Sequence, residues 1–141
     1  KAFPRFFVCN LPAAPELRPH FRSYMKQRGA MLAKGRLLGI QFETILRDGL
    51  YLELARQAND RAACLRRGIE ELGYSFAYPS CSNQLFPVFS NDLIAKLEAE
   101  YEFETECMVD DTHTCIRLVT SWATPQSAVE DFVRYLAGLT Q

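Results

Sequence analysis

The sequence predicts an α/β chain: a short strand and long helices, followed by a small α+β unit of roughly ββαββα order. Three observations carry this expectation. Leu50, Leu54, Ala58, Ala62, Leu65, Ile69 and Leu72 advance by three or four residues at every step, which makes one apolar helix face. After Gly73 the apolar period shortens to alternation, as in strands. Near the end, the strand-like run Thr114-Cys115-Ile116-Arg117-Leu118-Val119-Thr120 leads into a second amphipathic helix.

The elements are read in order as follows. Phe6-Phe7-Val8-Cys9 is a short apolar run with the character of a buried strand, closed by Asn10-Leu11-Pro12, and Pro15-Glu16 suits the start of a helix. From about 30 to 46, Met31, Leu38, Phe42, Ile45 and Leu46 recur at helical intervals until Arg47-Asp48-Gly49 stops the pattern. The helix over 50–72 follows and ends at Gly73, whose missing Cβ suits a left-handed cap. Strands are expected at about 74–78 and 84–89, with a turn at 79–82. Ser90-Asn91-Asp92 offers capping side chains to a short helix bearing Leu93, Ile94, Leu97 and Tyr101. In the next strand, near 101–108, Glu102, Glu104 and Glu106 alternate with Phe103, Thr105 and Cys107, giving one solvated, negative face. Asp110-Asp111-Thr112 turns the chain into the strand that carries Arg117. Thr124 is an expected N-cap with Pro125 behind it, and Val129, Phe132, Val133, Leu136 and Leu139 form the inner stripe of the last helix.

Composition bounds the function. A chain of 141 residues with 48% hydrophobic and 23% charged content is that of an ordinary globular domain with a core of its own. It lacks an apolar run of membrane-spanning length and reads as a soluble, cytoplasmic protein. The five cysteines, Cys9, Cys64, Cys81, Cys107 and Cys115, are scattered and odd in number. With only His20 and His113 beside them, neither a disulfide framework nor a metal site is expected. The net charge of −1 hides an asymmetry: residues 1–72 carry thirteen bases and seven acids (+6), residues 73–141 three bases and ten acids (−7). Docking of one half on the other, or on a partner, accounts for this split better than nucleic acid, since the bases are not interleaved with aromatics.

Arg117 is the residue that asks for an explanation. Alternation places Ile116 and Leu118 on one face of its strand and Cys115, Arg117 and Val119 on the other, with both faces expected to be at least half buried. A guanidinium in such a place needs an anion, and its planar fork suits a carboxylate or phosphate held by two parallel hydrogen bonds. The residues alone leave two readings open: a ligand clamp, or a structural ion pair with a nearby acid.

The run from Lys26 through Gln27-Arg28-Gly29-Ala30-Met31-Leu32-Ala33-Lys34-Gly35-Arg36-Leu37-Leu38-Gly39-Ile40-Gln41 to Phe42, with Arg117-Leu118-Val119-Thr120-Ser121-Trp122-Ala123-Thr124, resembles the C-terminal portion of low-specificity L-threonine aldolases. The likeness extends from about Phe21 to the C-terminus and takes in the helix through Asn59 and the segment Ser82-Asn83-Gln84-Leu85-Phe86-Pro87. These are pyridoxal 5'-phosphate enzymes of the β-eliminating lyase group, with the aspartate-aminotransferase (fold-type-I) architecture. The resemblance implies cleavage of threonine or allo-threonine to glycine and acetaldehyde, with Arg117 binding the substrate carboxylate. It implies that Lys26 and Lys34 bind the cofactor, from the neighbouring subunit of a homodimer or homotetramer, with Arg28 and Arg36 as alternatives in the same basic run.

The departures are as informative. The Thr-Lys-x-Gly segment that holds the family's Schiff-base lysine is absent, and Lys1 is its only counterpart by separation from Lys26, without the glycine-rich context. The pyridine-nitrogen aspartate, the stacking histidine and the base for the β-hydroxyl match nothing here, so the chain alone is expected to be inactive and to need an upstream part. The resemblance divides the chain into the end of the large cofactor-binding domain (1–49), a connecting helix (50–72) and a small domain (73–141). A lone strand at Phe6 to Cys9 fits this division, because a strand needs partners. The competing readings are another fold-type-I enzyme, an aminotransferase or β-lyase, and a non-catalytic α/β module that binds a carboxylate.

Overall fold

A computed structural model describes residues 19–139. The expected strand at Phe6 to Cys9, the helix start at Pro15-Glu16, and Lys1 lie outside the described residues. The chain divides into two compact units, residues 1–44 and 45–141.

In the first unit α1 covers Phe21–Gln27, and α2, Arg36–Leu46, runs across the division between units. The helix expected from about 30 thus begins later, at Arg36. Gly29 takes a left-handed conformation with φ 65°, and the Gly35 amide donates to the Leu32 carbonyl at 3.1 Å, closing a turn before α2 can begin. Apolar side chains are not buried here: Leu32, Leu37, Leu38, Ile40 and Phe42 are exposed.

In the second unit, Arg47–Gly49 forms a 3-10 turn in which Asp48 and Gly49 both have positive φ, 55° and 78°, so the stop read from Arg47-Asp48-Gly49 is a true interruption. Helix α3, Leu50–Glu71, follows and closes at Gly73 with φ 87°. Its stripe is buried from Ala58 through Ala62 and Leu65 to Ile69, whereas Leu50 at its start is exposed.

The sheet elements follow the order β1 (Gln84–Leu85), β2 (Val88–Ser90), α4 (Asn91–Leu97), β3 (Glu104–Met108), β4 (His113–Val119) and α5 (Gln126–Leu139), which is ββαββα. Both of the first two strands come from the single run expected at 84–89, because Pro87 has no amide hydrogen to continue the ladder. The strand expected at 74–78 shrinks to a bridge between Phe76 and Pro87, with Ala77 donating to Phe86 and Val88 to Ser75. Strand β4 is central and antiparallel to all three others: Gln84 and Leu85 lie opposite Val119 and Leu118, Val88 to Ser90 opposite Cys115 to His113, and Glu104 to Met108 opposite Arg117 to Thr114.

Helices α3, α4 and α5 cover one face of this sheet. Ile69, Leu85, Phe89, Leu97, Ile116 and Leu136 are fully buried between them, and Tyr74, Tyr101 and Phe103 pack at the margin. Ser90 caps α4 as expected, accepting from the Leu93 amide at 3.3 Å. Thr124 does not act in the expected way: its hydroxyl accepts from the Ser121 amide at 2.9 Å and closes the preceding turn. Among the described residues no helix is long and apolar enough to cross a membrane, and no group of His, Cys, Asp and Glu could hold a metal ion.

The tightest point is the crossing of α3 and α5. A Cβ built on Gly68 would lie 2.5 and 2.9 Å from the two methyls of Val133, closer than carbon atoms approach. Valine is stiff at χ1 and cannot swing aside cheaply. Gly68→Ala is therefore expected to destabilise the protein by about 1–3 kcal/mol, as overpacked core substitutions do, despite alanine's better helix propensity. Urea unfolding checks this, and Val133→Ala in the same chain should recover most of the loss.

Candidate functional site

The candidate site is built where β4 ends. At Cys115 both faces of the strand are closed: Ile116 faces the helices, and Cys115, with no exposed surface, points its sulfur at the Phe86 carbonyl, 3.7 Å away. The cover on that second face includes Tyr78 and Phe86, whose rings meet edge to face at 5.6 Å, and Cys107 directly across from Cys115. Burial, and then the neighbouring Cys107, push the Cys115 thiol up to about 11, which leaves it a protonated, apolar filler. The Tyr78 hydroxyl lies 3.6 Å from the Cys107 sulfur, and that contact is the main cause raising its pKa.

Two residues further on the cover ends. The Arg117 side chain is 33% exposed, and Val119 beyond it is 57% exposed. The expectation that both faces of the strand are at least half buried therefore holds at Cys115 and fails at Val119. Arg117, of intermediate burial, lies between the two. It pairs there with the Glu104 carboxylate on β3, the residue opposite it in the ladder, and Glu106 stands 4.0 Å from its second terminal nitrogen. A hollow of about 220 Å³ adjoins it, lined among others by Tyr101, Glu102, Arg117, Thr120, Thr124 and Phe132.

The backbone after Arg117 is anchored. Thr120 is the one buried polar side chain among the described residues; its hydroxyl donates to the Ala58 carbonyl of α3 at 2.7 Å. Its amide donates to the Asn83 carbonyl at 3.0 Å, and its own carbonyl accepts from the Asn83 side chain at 2.6 Å. Gln57 on α3 then donates to the Trp122 carbonyl at 2.8 Å, and Ser121 and Thr124 close the turn between them. The segment from Arg117 to Thr124 is therefore pinned to the long helix at its midpoint, so the guanidinium projects from a fixed frame.

Lys26 is exposed in the last turn of α1, and Lys34 is exposed in the turn before α2. Both lie in the first unit and Arg117 lies in the second; Lys1 lies outside the described residues. His20 is exposed beside Tyr24, and His113 is held in the turn before β4 by Asp110. The residue that reading the sequence left unspecified is Glu104. Its alternation with Glu106 was a visible signal, but only the register assigns it to Arg117.

The chain therefore has the form of an α/β domain piece with a small antiparallel sheet, ending in an arginine-bearing strand pinned to a long helix. That is the architecture of the C-terminal part of a threonine aldolase. The structure matches the threonine aldolase of Leishmania major with a TM-score of 0.85 and 44% sequence identity, over 89% of this chain and 36% of that one. The resemblance read from the Lys26–Phe42 and Arg117–Thr124 motifs is thus borne out in structure. The chain spans about a third of that enzyme's length. No protein-family model and no curated protein matches it.

The turn that aims β4 has a pH signature. Asp110 accepts from the Thr112 and His113 amides at 2.7 and 2.8 Å and from the Thr112 hydroxyl, which holds its carboxyl at about 2. Because the folded pKa is depressed, the stabilisation is complete above the ordinary aspartate range and is lost as pH falls through about 2. Acid titration of unfolding between about pH 4 and pH 2 should show a steeper loss of stability in the wild type than in Asp110→Asn.

Proposed function

We propose that this chain is the C-terminal segment of a pyridoxal-phosphate-dependent lyase that cleaves threonine or allo-threonine to glycine and acetaldehyde, and that Arg117 binds the substrate carboxylate. The observation that carries the reading is the structural match at 44% identity, joined to a half-buried guanidinium at the end of a pinned strand. Pyridoxal phosphate, when bound, supplies an electron sink for the bond that breaks. The contribution of this chain is orientation. A guanidinium gripping a carboxylate through two parallel hydrogen bonds removes rotation about the N–Cα bond and sets which substituent of Cα stands across the cofactor ring. The pinning of Thr120 to Ala58 gives that grip a rigid base.

The described residues fit the anionic ends of such a cofactor and substrate and no more. Every described lysine and aspartate is exposed, so neither a buried lysine for covalent attachment nor a buried acid for a ring nitrogen is among them. We assign Lys26 and Lys34 to the cofactor phosphate, acting across a subunit interface, and leave the ring contacts to the part of the enzyme upstream of this segment. Exposed Leu37, Leu38, Ile40 and Phe42 support that assignment: four exposed large apolar residues on one short helix suit a surface made to be covered. On this reading residues 1–49 complete a larger domain and the active protein is a homodimer or homotetramer. The aminotransferase and β-lyase alternatives gain no support from the match.

The test is threonine cleavage by the full-length protein with its cofactor, followed by acetaldehyde release. Arg117→Ala is expected to lower kcat/KM by about 10²- to 10³-fold, the loss of a charge-assisted pair of hydrogen bonds. Arg117→Lys should recover only part of it, because an ammonium lacks the fork. A kcat/KM of Arg117→Ala within twofold of wild type, or transamination without acetaldehyde, would overturn the reading.

A further inference from the structure

We propose that Glu104 is a resident competitor for the carboxylate clamp: in the free protein its carboxylate occupies the Arg117 guanidinium, and an incoming amino acid binds by displacing it. The inference rests on the reading of Arg117 as a substrate ligand and adds to it a residue that tunes affinity and selectivity.

Three features point the same way. Glu104 lies directly opposite Arg117 in the antiparallel ladder and pairs with its terminal nitrogen, so the clamp is already holding a carboxylate chemically equivalent to the ligand's. The register shifts between Thr105 and Cys107, and a second acid, Glu106, reaches to 4.0 Å from the other terminal nitrogen. One guanidinium thus faces two carboxylates, one more than a structural ion pair requires. The two partners are also unequally placed. The Glu104 side chain is 72% exposed against 33% for Arg117, so the acid is the partner that can swing out into water while the guanidinium stays where it is.

Exposure sets the size of the effect. An ion pair with one partner in solvent is weak, so Glu104 leaves readily, yet it still costs each ligand a fraction of its affinity. Surplus charge sets the direction of selectivity. Once a ligand carboxylate has replaced Glu104, the site holds Glu106 at the guanidinium and Glu102 on the wall of the adjoining hollow. A ligand with one carboxylate restores the original balance of charge; a second carboxylate on the ligand's side chain would meet these acids without a cation to pair with. The cluster therefore favours neutral amino acids and disfavours aspartate and glutamate.

The experiment uses the full-length holoenzyme with Glu104→Gln, Glu104→Ala and Arg117→Ala, each checked for an unchanged unfolding midpoint, and reads glycine and aspartate binding by calorimetry with KM and kcat for threonine. Both Glu104 variants are expected to bind glycine about two- to fivefold more tightly, with KM lowered in step and kcat within twofold of wild type. Aspartate should stay a weaker ligand than glycine in both Glu104 variants, because Glu102 and Glu106 remain. Unchanged or weaker glycine binding in both Glu104 variants, while Arg117→Ala weakens it tenfold or more, would overturn the competitor role and leave the clamp standing. If Arg117→Ala also binds glycine as wild type does, the clamp assignment falls, and this inference with it.

Discussion

The sheet depends on β4. Its strand pairings all run through β4: β1 and β2 share one edge, β3 takes the other, and among the described residues no other two strands pair. A strand in that position must be buried on its core face, and Ile116 and Leu118 meet that demand against α3 and α5. Its other face is closed at Cys115, whose sulfur meets the Phe86 carbonyl beside the Tyr78 ring. The place where that cover stops is where a charged side chain becomes tolerable, and Arg117 is the first residue beyond it.

A fixed charge also needs a fixed backbone, and that comes from Thr120. Strand β4 would otherwise fray at its end, as strands do where the ladder stops. Instead the hydroxyl and both main-chain polar groups of Thr120 are satisfied, by Ala58 of α3 and by Asn83 just before β1. A threonine with no exposed partner to spare is held in one geometry, because leaving any of these groups unpaired costs about 1–3 kcal/mol. The long helix therefore has two tasks. Its stripe from Ala58 to Ile69 forms the core, and its polar atoms near Ala58 and Gln57 hold the strand end.

Much of this was legible in the residues because it rests on periodicity. The three- and four-residue steps of α3, the Gly73 cap, the Ser90 cap and the stripe Val129, Phe132 and Leu136 all depend on local spacing, which a sequence displays directly. What was not legible depends on pairs distant in the chain or on a single backbone atom. Pro87 splits one apparent strand into two by lacking a hydrogen, while Phe76 loses its expected strand to a single bridge. Thr124 has the chemistry of a cap, but the Ser121 amide takes its hydroxyl first. The turn closed by Gly35 delays to Arg36 a helix whose apolar spacing suggested a start near 30, because spacing reports faces and says nothing of turns.

Arg117 illustrates the limit most sharply, because both of its readings turn out to describe the same geometry. As a structural ion pair it is complete, with Glu104 across the ladder and Glu106 beside it. As the proposed clamp it is also complete, since the group it holds is a carboxylate on a solvated side chain. The two readings separate on energetics. An ion pair with both partners buried is costly to break, and one that yields to a ligand is best built with a single partner anchored. Here the cation is the anchored partner, on a central strand pinned to a helix, and the anion lies on a strand paired along one side only. On the proposed reading, that asymmetry is what a reusable carboxylate site requires: the charge that would recognise the ligand keeps its place, and the charge that holds it ready would give way.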